Sequence, residues 1–124
     1  MTRFAALRAV RELAGCSDGE ISSLLRYTDQ VDVPAGAVVA EHAHLAATFV
    51  VVMDGSLRAG SCPLQPGDSF GWDAMWERTA NPATVVAASQ ARLMVMSHNQ
   101  FRAVKGLARA EIRRPGELPV PAAA

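Results

Sequence analysis

Long apolar runs are missing from this chain, and so are cysteine pairs, net charge and glycine-rich phosphate loops. Cys16 and Cys62 are the only thiols in 124 residues. They are too few and too unpatterned for a disulfide framework or a zinc site, and they read as reduced thiols of a cytosolic protein. The N-terminus interleaves Phe4, Leu7, Val10 and Leu13 with Arg3, Arg8 and Arg11, which denies it the uninterrupted stretch of a signal peptide or membrane span. The expectation is a soluble, cytoplasmic protein with no membrane partner. No Walker-type or dinucleotide loop occurs, which removes the common nucleotide enzymes. No serine, cysteine or carboxylate pair has the surroundings of a nucleophile or of an acid and base pair, and His98 falls in the cap region of a helix between Ser97 and Asn99. The chain therefore reads as non-catalytic.

What is present is enough apolar material for one core. Half of the residues are hydrophobic, which suits a single domain and leaves little room for a second. Net charge is zero but unevenly placed. Residues 1–15 carry three Arg against one Glu, residues 16–92 four Arg against nine acids, and residues 93–124 five basic groups against two acidic ones. A centre of that sign repels a phosphate rather than steering it in.

The order of elements reads helix, β-barrel, helix, tail. Residues 3–14 have apolar positions every three or four, as a helix against the barrel requires. Ser17 and Glu20 make a capping box, with Cys16 and Ile21 as the staple around it and Ile21, Leu24 and Leu25 as an apolar face. These helices fill residues 1–30. Across residues 31–96 the pattern changes to short β-branched runs bounded by Pro, Gly and Asp. They are Val31–Val33, Ala37–Glu41, Thr48–Met53, Ser56–Ala59, Ala83–Ala88 and Ala91–Met96, with Asp54-Gly55 as the sharpest hairpin turn. Ser97 with Gln100 is a second capping box and Met96 with Phe101 a second staple. They predict a helix from about Asn99 to Arg113, within a C-terminal segment 97–114, before Pro115-Gly116 stops it and a flexible tail, 115–124, begins.

Within the β region, residues 64–96 carry the most specific signal. A Pro66-Gly67-Asp68 turn leads to Phe70-Gly71-Trp72-Asp73-Ala74-Met75-Trp76, then to Asn81-Pro82-Ala83-Thr84-Val85. This order resembles the cassette of the cyclic-nucleotide-binding domain family, roughly F-G-E-x-A-L-L followed by R-[STA]-A-[TS]-V. Further stretches are similar to that family in the right order. They are Leu13-Ala14-Gly15-Cys16-Ser17, Val33-Pro34-Ala35-Gly36, Phe49 to Gly55, Leu64 to Asp68 and Arg92 to Met96, together covering about residues 13–105. The resemblance implies a mainly β fold with flanking helices, a jelly-roll-like double-stranded β-helix or β-roll, with the phosphate-cassette-like segment at residues 66–85. Two departures lie near the ligand. Glu41-His42-Ala43 replaces the family's E-G-D, and the connection from Ser56 to Pro63 is short.

The cassette-equivalent positions are Gly71, Trp72, Asp73, Ala74, Arg78, Asn81, Ala83 and Thr84. In the family the glutamate accepts from the ribose hydroxyl and the arginine pairs with the cyclic phosphate, so the resemblance implies that Trp72 and Asn81 stand at these positions. Trp72 offers one N–H and no charge, and Asn81 cannot neutralise a phosphate. A buried phosphate without its cation costs several kcal/mol. Packing of Trp72 and Trp76 at i, i+4 spacing is therefore the expected use of the cassette, with no cofactor and no cyclic nucleotide bound. Arg78, three residues before the motif's arginine, is the one nearby cation able to substitute, which keeps a sensor with an altered pocket open as an alternative.

A second alternative is a small cupin-type metalloprotein. Gly36, His42, His44 and Gly55 resemble the first cupin motif, whose H-x-H holds a metal. The motif's glutamate would fall at Thr48 or Phe49 and the second motif's histidine near Phe70 and Gly71. Two imidazoles supply half a site, whereas catalytic metals have three protein ligands and structural zinc four.

In the last helix Phe101, Val104, Ala108 and Ile112 define an apolar side, beside a positive stripe of Arg102, Lys105, Arg109 and Arg113. In catabolite-activator-type regulators the corresponding helix dimerises and leads to a helix-turn-helix, for which Glu117 to Ala124 leave no room, so specific DNA binding is not expected. The reading is a non-catalytic regulatory or protein-interaction module with a protein partner or a second copy of itself. Its expected contact surface comprises Trp76, Phe101, Val104, Arg109 and Ile112.

Overall fold

Phe49, Val50, Val51, Val52 and Met53 are each at most 2% exposed, so the strand they form is covered on both faces. That one strand organises the molecule. The computed structural model describes residues 1–107. In chain order they form α1 (Arg3–Arg8), a 3₁₀ turn at Arg11–Leu13, α2 (Asp18–Leu24), a 3₁₀ turn at Leu25–Tyr27, β1 (Asp29–Val33), β2 (Val38–Ala40) and β3 (Thr48–Asp54). Then follow β4 (Leu57–Ala59), β5 (Cys62–Leu64), β6 (Ser69–Phe70), α3 (Trp72–Glu77), β7 (Val85–Ala87), β8 (Ala91–Ser97) and α4 (His98–Leu107). Among these helices none is long and apolar enough to cross a membrane.

Two antiparallel sheets result, ordered β1-β8-β3-β6 and β2-β7-β4-β5. Alternation along β3 and β8 sends their side chains to two separate cores. Val50, Val52, Ala91 and Leu93 point between the sheets and meet Leu57, Val85 and Ala87. Phe49, Val51, Met53, Met94 and Met96 point the other way and meet Leu7, Leu13, Ile21, Leu24, Phe101 and Val104 of the helices. The β-roll with flanking helices is the architecture expected from the residues.

Asp54-Gly55 is not a hairpin. β3 and β4 lie in different sheets, so the turn is a corner at which the chain passes from one sheet to the other. Ser89-Gln90, between β7 and β8, is a second such corner, and the two are stacked. The Ser56 N–H donates to Ser89 Oγ at 3.1 Å, and the Ala88 N–H donates to the Ser56 carbonyl at 3.0 Å. Gly55 has φ +78°, and a Cβ there would overlap the Gln90 carbonyl and come within 2.9 Å of Ala91 Cα. The true hairpin is β4–β5, paired Leu57 to Leu64 and Ala59 to Cys62. It and β6 are too short to show an alternation in the sequence.

The first helix also differs from expectation. α1 stops at Arg8, and Val10 takes an extended conformation before the 3₁₀ turn. Arg8 accounts for the break, because its guanidinium donates to the Leu13 and Cys16 carbonyls at 2.7 Å each, and a straight helix would carry it past them. α2 has the expected capping box between Ser17 and Glu20. α4 has the expected reciprocal bonds between Ser97 and Gln100; the expected continuation to Arg113 lies outside the described residues.

The stacked corners yield a test. Gly55→Ala combines a positive φ with a clash against backbone, and its expected cost is at least about 2 kcal/mol. A lower urea midpoint at unchanged slope is the readout.

Candidate functional site

The cassette begins where β6 ends. Gly71, at φ +99°, turns the chain into α3, and a Cβ there would sit 2.7 Å from the Thr48 carbonyl, so only glycine lets α3 approach β3 this closely. α3 is six residues long and closes at Arg78, itself at φ +58°, whose N–H donates to the Ala74 carbonyl. The loop after it pairs with the β2–β3 loop. The Ala46 N–H donates to Thr79 at 3.0 Å, the Asn81 N–H to His44 at 2.8 Å and the Ala43 N–H to Asn81 at 3.0 Å.

Trp72 turns away from the roll interior and enters the helical-side core, 5% exposed. Its ring meets Phe49 edge-on at 5.4 Å and Phe101 edge-on at 5.0 Å, and it stacks on Trp76 at 6.2 Å. Each such pair contributes about 0.5–1.5 kcal/mol beyond burial. The Nε1 hydrogen has no acceptor, which costs about 1–3 kcal/mol. Three ring contacts and burial of an indole outweigh that loss. Trp72 is therefore packing, and it neither fills nor lines the mouth of the roll.

Asn81 is 9% exposed. Its Nδ2 donates to the Glu41 carbonyl at 3.0 Å, so the side chain pins the two loops together. Thr84 Oγ1 accepts from the His42 N–H at 3.1 Å and adds to the same closure. Between the loops and the roll a cavity of about 60 Å³ remains, lined by Ala40, Ala59, Phe70, Gly71, Asn81, Pro82, Ala83 and Val85. No charged side chain reaches it. Small-molecule pockets run to about 300–1,000 Å³, so this space is several-fold too small.

Gly71, Trp72, Asp73 and Ala74 line an open pocket of about 260 Å³ with Arg11 and Glu12 outside the mouth, and the remaining sequence-derived positions separate. Asp73 is exposed and Ala74 buried. Arg78 lines neither the mouth nor its loops, and its Nη1 meets His98 Nε2 on α4, so its proposed substitution for the cassette arginine is corrected by the direction of its side chain. His44 Nε2 lies 3.2 Å from Glu41 Oε2, and among the described residues no three His, Cys, Asp or Glu side chains gather as a metal site. Phe101 and Val104, expected on an exposed strip, are 1% and 0% exposed. α4 folds back and buries them on its own domain, where Phe49 and Trp72 give them partners. Trp76 is half-buried. Arg109 and Ile112 lie outside the described residues.

One cluster was not foreseen as a unit. Arg78, His98, Arg102 and Lys105 surround an open pocket of about 220 Å³ whose floor is Met75, Trp76 and Phe101. The Lys105 ammonium lies 4.2 Å from the Trp76 ring centroid. Only Arg102 and Lys105 were legible together, by their spacing on one helix. An arginine nitrogen donates, so Nε2 of His98 accepts and its neutral ring carries the proton on Nδ1. Desolvation, then the charges of Arg78, Arg102 and Lys105, hold the His98 pKa below the ordinary imidazole value.

At the sequence level no family model matches the chain, and no curated protein matches it either. Solved structures do. The N-terminal domain of a transcriptional regulator from Streptomyces coelicolor is 15% identical, with a TM-score of 0.73 over 85% of this chain and 80% of that one. The regulatory domain of Toxoplasma gondii PKA with cAMP is 22% identical, with a TM-score of 0.71 over 86% of this chain and 45% of that one. A cyclic nucleotide-binding-like protein from Brucella abortus is 17% identical, with a TM-score of 0.71 over 83% and 97%. The chain thus has the cyclic-nucleotide-binding β-roll fold, and it spans under half of the Toxoplasma gondii chain.

Two tests follow from this geometry. Asn81→Ala removes the bond to Glu41, with an expected loss of about 0.5–1.5 kcal/mol in urea unfolding. For His98, a folded-state pKa below the unfolded value means that the unfolded chain binds the proton first. Its effect is absent well above about pH 6.5, and stability is lost as pH falls through the window below that value. His98→Gln should therefore lose less stability than the parent between about pH 7.5 and 5.5.

Proposed function

We propose that this chain is a non-catalytic regulatory or protein-interaction module, built on a cyclic-nucleotide-binding-like roll that does not hold a cyclic nucleotide. The observation that carries the reading is the mouth of the roll. Its space is about 60 Å³ and no charged side chain lines it. Two substitutions support the same reading. Trp72, at the glutamate position, is engaged with Phe49 and Phe101, and Asn81, at the arginine position, is engaged with Glu41. A cyclic phosphate placed there would be desolvated without a cation, at a cost of several kcal/mol. It would also have to part the loops that Asn81 and Thr84 hold together.

The similar domain of Toxoplasma gondii PKA is a regulatory one with cAMP. Loss of the ligand from such a scaffold leaves its surfaces to act, and a protein partner or a second copy of the chain is the corresponding reading. Trp76 and the α4 side of the cassette supply the surface among the described residues.

Isothermal titration with cyclic AMP and with cyclic GMP tests the reading. No saturable heat is expected at micromolar nucleotide. A one-to-one isotherm with either would overturn it, and would require Asn81 and its loops to move.

A further inference from the structure

The pocket between α3 and α4 shares no lining residue with the mouth of the roll. Three permanent cations, Arg78, Arg102 and Lys105, converge there from two elements, and among the described residues none of them makes a salt bridge. Two other arginines are used differently. Arg8 is held by Asp18 and two carbonyls, and Arg92 by Asp32 at 3.0 Å. Like charges brought together without an acid destabilise the fold by mutual repulsion, so this arrangement is a cost that an anion would remove.

We propose that Arg78, His98, Arg102 and Lys105 form a phosphoryl-binding pocket on the outer side of the cassette helix, with Trp76 as its wall. The chemistry favours a dianionic phosphomonoester over a carboxylate. Three positive charges are better matched by two negative ones, and guanidinium groups offer fork-shaped donors to several oxygens at once. At about 220 Å³ the pocket is below the size that encloses a whole small molecule, so it takes the phosphoryl end of something larger. Binding needs one internal exchange. The Arg78 contact with neutral His98 gives way to the anion, and His98 gains a proton because the oxyanion offsets the repulsion from Arg78, Arg102 and Lys105. The proposal stands independently of nucleotide loss from the roll.

The imidazole of His98 reports on this directly. In the intact chain, NMR titration of His98 in inorganic phosphate, against chloride at matched ionic strength, should show a saturable response. Its pKa should rise by about one unit, the effect of an opposite charge at contact distance. Arg102→Gln with Lys105→Gln removes two cations from positions outside the core, so the fold should persist by circular dichroism while the saturable response disappears. An equal pKa in phosphate and chloride would overturn the proposal, as would an unchanged response in the folded double variant. A second arm compares free phosphoserine with phosphoserine inside a short uncharged peptide. Tighter binding of the peptide identifies a phosphorylated protein segment as the source, and equal binding identifies a small phosphomonoester.

Discussion

Burial of β3 and β8 on both faces is the constraint from which the rest of the structure follows. Their seven-residue lengths pair from Thr48–Ser97 to Asp54–Arg92, and each strand sends alternate side chains into the roll core and the helical core. A strand with water on one side needs only half of this apolar content. Because both sides are spoken for, the second sheet must close over one face and α1, α2 and α4 must cover the other. The corners at Gly55 and Ser89-Gln90 are the geometric price of closing that second sheet, since each takes the chain directly from one sheet to the other.

The cassette shows how packing is arranged on such a frame. Gly71 is retained because of the Thr48 carbonyl beneath it, a constraint that belongs to the fold and not to a ligand. At the neighbouring position, a carboxylate would have no partner among Phe49, Phe101 and Trp76, whereas an indole gains area and ring contacts there. The unpaired Nε1 of Trp72 is the residual penalty of that exchange. Asn81 is similarly adapted, with one amide hydrogen placed on the Glu41 carbonyl, which also accepts from the His44 N–H. The small mouth has the Asn81 amide, and no charged side chain, in its lining.

Charge is organised by the same scaffold. Arg3 and Arg8 in the basic N-terminal segment are spent on carbonyls at Thr28, Leu13 and Cys16, where they tie helices to turns. Among the described residues Arg102 and Lys105 of α4 tie no carbonyls in this way, and Lys105 lies over the Trp76 ring instead. Folding α4 back onto Phe49 and Trp72 carries Arg102 and Lys105 to Arg78, which α3 projects outward through its left-handed terminal residue. A positive face next to a closed roll mouth is thus a consequence of burying Phe101 and Val104.

Local and periodic features of the fold were legible in the residues themselves. Capping boxes at Ser17/Glu20 and Ser97/Gln100 depend on groups three residues apart, so their bonds are the same in the sequence and in the structure. The longer strands show in nearly continuous apolar runs, because burial on both faces removes the polar alternation. The cassette's altered chemistry was also legible, at Trp72 and Asn81. Tertiary structure alone decided which turns are corners, because the space at Gly55 is set by Gln90 and Ala91, more than thirty positions away. It alone decided that Phe101 and Val104 face inward, since a helical apolar stripe is the same whether its own domain or a partner covers it. It likewise decided that Arg78 meets His98 instead of the roll, because the direction of a long side chain is fixed by the backbone turn beneath it and by which neighbours have already claimed the space.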